Sequence, residues 1–531
     1  MDVSQYIPQN PEDGDWDVVV IGTGMGGSTL GYALARKGRS VLFLEKGKFL
    51  HHGPLDAPEI PAEPMSEEDQ RLHHGWWPQR LEGMTNFGKA DFYAPLGCGS
   101  GGTTGHYGAQ LERFAPSDFS PRDNFRSAQG TNLPDRWPVS YETMAPYYQQ
   151  AETLFRICGT QDPLKPNEDF DLRAPPPLGH RDQALYDSFE DLGLHPYRAH
   201  VGYEYVPECF ECTEICPKRC KKEAGEVCLT PALEDFGAQI LPECEVEELV
   251  SNNGRVNAVR ARRHGKELRI TAKTFVLAAG AYMTPQLLLK SSSASAPNGL
   301  ANSSDMVGRN LMLHTSDFIA LDTKKWLSPE GPRKTLALND FYIDNGHKLG
   351  TFQSVGFPFE GPFILAYLRH VADSDPRWWR SITNPMLPKA AEFAPRIFAK
   401  STMFATIVED LPYSHNRVTL DSSAPNGMRF EYEYTQELKS RNAYFRKRIK
   451  ETLSKKHRIR FLSGRNNINY GHVCGTCRFG DDPATSVLDS NNRAHDLDNL
   501  YVVDASFFPS SGGTNPSLTI AANALRVAEH L

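Results

Sequence analysis

Three glycines and one glutamate near the start of the chain have the types and spacing of a nucleotide site. In DVVVIGTGMGG, Gly22, Gly24 and Gly27 follow the pattern G-x-G-x-x-G directly after a β-branched run, and Glu45 closes the next apolar run, VLFLE, about 20 residues on. Each position has its own task. Gly22 allows a tight turn, Gly24 lets a pyrophosphate approach the backbone at a helix N-terminus, Gly27 lets that helix pack on the strand, and Glu45 can accept from a ribose hydroxyl. A second chemical cluster is made of thiols: six of the ten cysteines lie between Cys209 and Cys244, and CFECTEICPKRC places Cys209, Cys212, Cys216 and Cys220 at short steps. Thiolates on one turn can converge on an iron–sulfur cluster or a zinc ion, and free or disulfide-paired thiols are the third reading. The pairs His51-His52 and His73-His74 lack the paired spacing of a metal site and are not read as metal ligands.

These residues need elements to hold them. The first run, the glycine loop, a helical pattern ending near Gly38 and the second run form one β-α-β unit. Residues 46–96, rich in Pro, His and Gly and containing Trp76 and Trp77, read as a long covering loop, and GCGSGGTTGHYGAQLERF (97–114) is dense enough in glycine for close backbone approach to a flat or phosphorylated ligand. Short strands alternate with turns from Gln239 to Gly280, where TFVLAAG returns the chain to the parallel sheet before a helix, AYMTPQLLLKS. The stretch from about 317 to 460 is aromatic-rich (Phe341, Tyr342, Phe357, Phe363, Tyr367, Trp378, Trp379) and reads as a second, substrate-facing domain. Ten residues from Lys439 to Arg460 are Lys or Arg, but Tyr444, Phe445, Ile449 and Leu453 fall at helical spacing, which marks a solvated amphipathic helix. The last segment gives a buried strand, a Pro/Gly turn and a helix that should rejoin the first domain.

Composition bounds the rest. A chain of 531 residues and 59.3 kDa exceeds one compact core. Hydrophobic residues make up 40% and charged residues 23%, which excludes disordered, collagenous and coiled-coil classes. With net charge −8 and a pI near 6.1, nothing global draws the protein to nucleic acid or an anionic membrane. No stretch approaches the ~18 apolar residues of a membrane span, and the start lacks a signal pattern, so a cytoplasmic location is expected.

In order along the chain, GTGMGG with Glu45, GSGGTT (99–104), AGAYMTPQLLLKSS (279–292), VGRNLMLH (307–314), NYGHVCGTCRFG (469–480) and GGTNPSLTIAANALRVA (512–528) resemble the motifs of the glucose-methanol-choline flavin oxidoreductases, nearest to the bacterial glucose dehydrogenase and pyranose oxidase branch. The internal signature departs at its end, where the family has Ser-Gly and this chain has Ser292-Ser293. The resemblance implies an α/β fold: a Rossmann-like FAD-binding domain interwoven with a second α+β substrate domain built on an antiparallel sheet. The expected division is FAD-binding 1–125, substrate 126–205, Cys-rich segment and FAD-binding 206–316, substrate 317–463, and FAD-binding 464–531. It implies FAD contacts at Gly22, Gly24, Gly27, Glu45, Gly101, Gly102, Thr103, His106, Ala279, Gly280, Asp504, Asn515 and Pro516.

The resemblance also places the catalytic histidine at His472 and its partner at Asn515. Imidazole suits removal of a hydroxyl proton near neutral pH, and an asparagine amide can hold the alcohol oxygen without competing for that proton. The implied reaction is oxidation of a CH–OH group, of a sugar, glycoside or other polyol, with sterols and other non-sugar alcohols as the alternative within the family. The implied acceptor is oxygen, or an electron-acceptor protein or quinone. In pyranose oxidases the histidine corresponding to His106 is bonded to the flavin; other relatives hold FAD without the bond. Glucose dehydrogenases of this family with an iron–sulfur cluster carry a C-x-x-x-C-P similar to Cys212–Pro217, which would make the cluster an electron carrier. Cys474 and Cys477 read as packing. Rival readings are an NAD-dependent dehydrogenase, which leaves the C-terminal motifs unexplained, a light-driven decarboxylase of the same fold, which needs no His472–Asn515 pair, and a non-catalytic FAD-binding protein.

Overall fold

Two four-residue apolar runs, Val18–Ile21 (β1) and Val41–Leu44 (β2), pair in parallel with every side chain buried, the continuous hydrophobicity of strands covered on both faces. The computed structural model describes residues 2–50, 66–207, 216, 218–356, 387–464 and 466–531. Gln239–Leu241 (β3), Thr274–Leu277 (β4) and Leu500–Val502 (β5) complete a five-stranded parallel sheet in the order β5-β4-β1-β2-β3. The first turn after β1 opens helix Met25–Arg36 (α1), and the last helix, Ser517–His530 (α2), packs along it. Val19, Val20, Leu42 and Phe43 have no solvent exposure, each contributing about 1.5–3 kcal/mol of burial. A three-stranded meander, Cys244–Asn252, Arg255–Arg263 and Lys266–Ile270, adds Leu249, Val259 and Leu268 to the same core.

The second unit is antiparallel. Strands Arg458–Phe461, Phe318–Asp322, Ser401–Val408, Gly350–Ser354, Leu336–Leu338 and Tyr197–Arg198 lie side by side, and Met312–Thr315 bridges Ser401–Val408 to Ile468–Cys474. The basic helix occupies Gln436–Leu453, begins on the Thr435 hydroxyl, which accepts from the Leu438 amide at 3.3 Å, and buries Phe445, Ile449 and Leu453 against this sheet's core. Phe341 and Tyr342 are buried; Phe357, Phe363, Tyr367, Trp378 and Trp379 lie outside the described residues. Among the described residues no helix is long and apolar enough to cross a membrane.

Two parts of the expected division differ. Residues 46–96 are not a bare loop: Glu67–His73 is helical, and Arg80–Thr85 and Gly88–Tyr93 form a hairpin whose first strand pairs in parallel with Met428–Tyr432. Local composition signals the turn but not a partner almost 350 positions away. Within 126–205, helix Tyr141–Leu154 packs on α2 and sends Met144, Tyr148 and Ala151 into the core of the parallel sheet rather than the antiparallel one. Their i, i+4, i+7 spacing reveals an apolar stripe without revealing which core receives it.

Candidate active site

The tips of the parallel strands and one face of the antiparallel sheet enclose a cavity of about 1090 Å³. At one end stands the N-terminus of α1. Gly22 has φ +98°, a turn an L side chain resists, and any Cβ there would lie 2.4 Å from Ala278 O. Gly24 caps α1 and its Cβ direction points into open space, which suits a bound pyrophosphate over the helix N-terminus. Gly27 does not face the cavity; it sits under the turn, where a Cβ would come within 2.2 Å of Gly22 O. Glu45 lies at the cavity wall, buried, and accepts from Thr23 N–H (3.0 Å), Thr23 Oγ1 (2.7 Å) and Gly47 N–H (2.8 Å). Burial pushes its carboxyl above the ordinary value against these hydrogen bonds, and lone pairs remain for a ribose hydroxyl.

The 97–108 loop forms a side wall. Gly102, Thr103 and His106 face the cavity, whereas Gly101 turns the chain (φ +82°) against Glu223 and does not. Beneath it run residues 220–225: Tyr107 OH donates to Lys222 O (2.5 Å), Lys221 Nζ to Gly105 O (2.6 Å) and Ala224 N–H to Thr104 Oγ1 (3.0 Å). His106 stacks on Trp76 at 3.7 Å, its Nε2–H donates to Gly75 O at 3.0 Å, and its buried Nδ1 has no partner. Burial holds this imidazole at about 4, so it is neutral. On the opposite wall are Ala279 and Gly280, the latter with an open Cβ direction, and Asp504, which accepts from Gly280 N–H (3.0 Å), Thr284 Oγ1 (2.5 Å) and Ser506 N–H (2.9 Å). Open space above Gly24 and Gly280, and the orphaned His106 Nδ1 in the same lining, fit a dinucleotide that ends in a flat ring system.

His472, on Ile468–Cys474, and Asn515 and Pro516, at the start of α2, line the same cavity. His472 Nδ1 lies 3.1 Å from His314 Nδ1, while its Nε2 has no protein partner among the described residues. Burial first, then His314 and the Lys334 cation, hold its pKa down to about 3. Asn515 Oδ1 is buried without a partner, as are Gln110 Nε2 and Gln353 Oε1 in the same lining, an arrangement that polar ligand groups would satisfy. The asparagine loop is itself pinned: Gly513 N–H donates to Tyr342 OH (3.1 Å), which donates to Asp118 (2.6 Å), and Thr351 N–H donates to Gly513 O (2.9 Å).

Of the four cysteines expected to gather around a metal, Cys209 and Cys212 lie outside the described residues; Cys216 and Cys220 are buried, their sulfurs 3.2 Å apart, beside the segment under the glycine loop. Among the described residues no three His, Cys, Asp or Glu side chains converge as a metal requires. Cys474 and Cys477 are buried free thiols. Sequence reasoning missed His314, Gln110, Gln353 and Lys334. His314 closes the quoted VGRNLMLH, but a single histidine on a buried strand carries no sign of its partner.

Comparison with known proteins finds similarity over nearly the whole chain. Family models described as GMC oxidoreductase match residues 127–316 and 412–524, and one described as an NAD(P)-binding Rossmann-like domain matches 20–50. Paromamine 6'-oxidase of Streptomyces fradiae is 30% identical over 98% of this chain and 91% of its own. The fructose dehydrogenase large subunit of Gluconobacter japonicus is 25% identical over 97% of each. The crystal structure of pyridoxine 4-oxidase from Mesorbium loti superposes with a TM-score of 0.64 at 19% identity, covering 97% of this chain and 99% of that one.

Proposed function

The chain belongs to the GMC oxidoreductase family, and from that premise we propose that it oxidises a CH–OH group of a sugar, glycoside or other polyol to the carbonyl, with His472 as general base and Asn515 as the residue that orients the alcohol. Membership carries FAD-dependent oxidation of an alcohol; the substrate class and the residue roles are the proposal. One observation supports the roles above all: the cavity lined by Gly24 and Glu45 is lined also by His472, engaged through Nδ1 and without a partner at Nε2 among the described residues, and by Asn515. The sugar reading draws on the relatives named for paromamine and fructose and on the unpaired Gln110 and Gln353 groups, which hydroxyls would satisfy.

When bound, FAD supplies the hydride acceptor. The protein does the rest. Gly24 and the α1 N-terminus would hold the pyrophosphate, Glu45 the ribose, and Gly102, Thr103, His106, Gly280 and Pro516 the reactive end. His472 Nε2 takes the hydroxyl proton, and the Asn515 amide N–H holds the alcohol oxygen as negative charge develops on it. The test is anaerobic mixing of purified protein with a panel of aldoses, ketoses, amino sugars, diols and sterols while following loss of the flavin's visible absorbance. Bleaching by sugars supports the proposal; bleaching only by sterols or simple alcohols replaces its substrate class.

Two expected results follow from the site. A protonated His472 has no lone pair at Nε2, so the reduction rate falls only as pH drops through its pKa, which lies near 3. The rate should therefore hold level from about pH 8 down to about pH 5, as stopped-flow reduction across pH would record; an acid limb centred at the ordinary histidine value would contradict it. With Nε2 of His106 spent on Gly75 O and its face on Trp76, only Nδ1 is left to meet a flavin, and we propose that the contact there is non-covalent. Acid precipitation should release the yellow colour to the supernatant, and colour kept in the pellet would establish a bond. The visible spectrum of anaerobically purified protein addresses the acceptor: flavin bands alone leave oxygen or a soluble acceptor, whereas an added broad absorption would bring the Cys209–Cys220 segment into electron transfer to a protein or quinone.

A further inference from the structure

His314 lies on Met312–Thr315 with no solvent exposure. Met312 pairs with Cys474 and Leu313 with Val473, so the same register carries His314 opposite His472, and there the ladder breaks. Such irregularities re-aim side chains at the point where pairing stops. The rings meet edge-on, 81° between planes and 5.3 Å between centroids. His314 Nε2 lies 2.9 Å from Gly512 O and 3.1 Å from Ser511 O. Carbonyl oxygens have no proton to give, so Nε2 of His314 carries one. Burial keeps this ring neutral, its pKa held to about 4, and a neutral imidazole protonated at Nε2 is bare at Nδ1. That bare Nδ1 faces His472 Nδ1 at 3.1 Å, a separation that needs one proton between the two nitrogens. His472 must supply it.

We propose that His314 is a positioning residue that fixes the tautomer of His472, holding the proton on Nδ1 so that Nε2 is always the base presented to the cavity. The inference rests on His472 being the general base proposed above. Once His472 has accepted the substrate proton at Nε2, its Nδ1–H becomes a cationic donor to His314, and such charge-assisted bonds are roughly twice as strong as neutral ones. His314 thus gives that Nδ1 proton a fixed acceptor without taking it. Through Ser511 and Gly512 it also ties the base to the loop that carries Asn515.

Two variants separate this role from a structural one. In His314→Asn the side-chain oxygen stands where Nδ1 was and still accepts from His472, but the amide no longer reaches the 511–512 carbonyls. In His314→Gln the amide reaches those carbonyls but leaves no acceptor at the Nδ1 position. Tautomer control predicts that the Asn variant reduces flavin within about tenfold of wild type, while the Gln variant slows by roughly 10²-fold at saturating substrate, with flavin content and substrate affinity little changed. A Gln variant as fast as the Asn variant, or faster, overturns the proposal and makes His314 a loop anchor. A readout independent of turnover is the nitrogen spectrum of 15N-histidine-labelled protein, with the His472 signals assigned by their loss in His472→Gln. Wild type should show Nδ1 protonated and Nε2 bare, and the Gln variant a mixture; a protonated Nε2 in wild type overturns the proposal. If His472→Ala leaves flavin reduction unchanged while the spectrum is as expected, it is the functional reading that fails and not the tautomer assignment.

Discussion

Replacing His472 by alanine is expected to leave a yellow, folded protein whose flavin is reduced by substrate 10²–10⁴-fold more slowly, a loss of about 3 to 5 kcal/mol of transition-state stabilisation. The fold should survive because the strand does not depend on the ring. Cys474 and Val473 pair with Met312 and Leu313 through the backbone, Val473 and Tyr470 supply the local core contacts, and the imidazole opens onto the cavity rather than the core. The cofactor should stay because the groups proposed to hold it, from Gly24 and Glu45 to Asp504, line other walls. Flavin content and melting temperature therefore serve as controls, and anaerobic stopped-flow reduction is the measurement. Added imidazole that enters the vacated space should restore part of the rate. Unchanged reduction kinetics would remove His472 from the mechanism and with it the proton-transfer step proposed for this site.

How far such a site is legible in the sequence depends on how local its causes are. The β-α-β unit is written in one stretch: a β-branched run, glycines at fixed offsets, a helical pattern and an acid at the end of the next run, all within 30 residues. The structure accordingly puts Gly24 and Glu45 on one cavity wall. His472 and Asn515 are paired only through the family motifs they sit in, and local sequence pattern alone does not say that they line one cavity. His314 shows the limit. Its residue type and even its motif were visible, but its role arises from a ladder that breaks opposite His472 and from two carbonyls almost 200 residues away. The hairpin Arg80–Tyr93 was hidden for the same reason, since its sheet partner is Met428–Tyr432. Gly101, which the resemblance implies as an FAD contact, does not line the cavity; its left-handed turn lies against Glu223.

The glycines of the first turn allow the nucleotide assignment to be tested apart from catalysis, because two of them serve different ends. At Gly24 the backbone angles, φ −71° and ψ −169°, are open to any residue, and a Cβ meets no atom within 4 Å. Gly24→Val should therefore fold and melt like flavin-stripped wild type, since its Cβ meets no protein atom within 4 Å. With FAD, the valine methyls would occupy the approach to the α1 N-terminus, and overpacking of about 1–3 kcal/mol there corresponds to roughly a 10- to 10²-fold loss of affinity. Gly27→Val should do the opposite. Its Cβ would stand 2.2 Å from Gly22 O and 2.8 Å from Ala278 Cβ, between helix and sheet, so the cost of about 3 kcal/mol falls on the fold itself. The comparison must be made against stripped protein, because bound FAD raises the wild-type melting temperature by mass action. FAD affinity and thermal melting of the two variants then give a crossed pattern: one stable but weakened in FAD binding, the other unstable whether or not it is loaded. A Gly24→Val protein that retains full flavin at wild-type affinity would mean that the dinucleotide does not pass over this helix N-terminus, and the cofactor path from Glu45 to His472 would have to be redrawn.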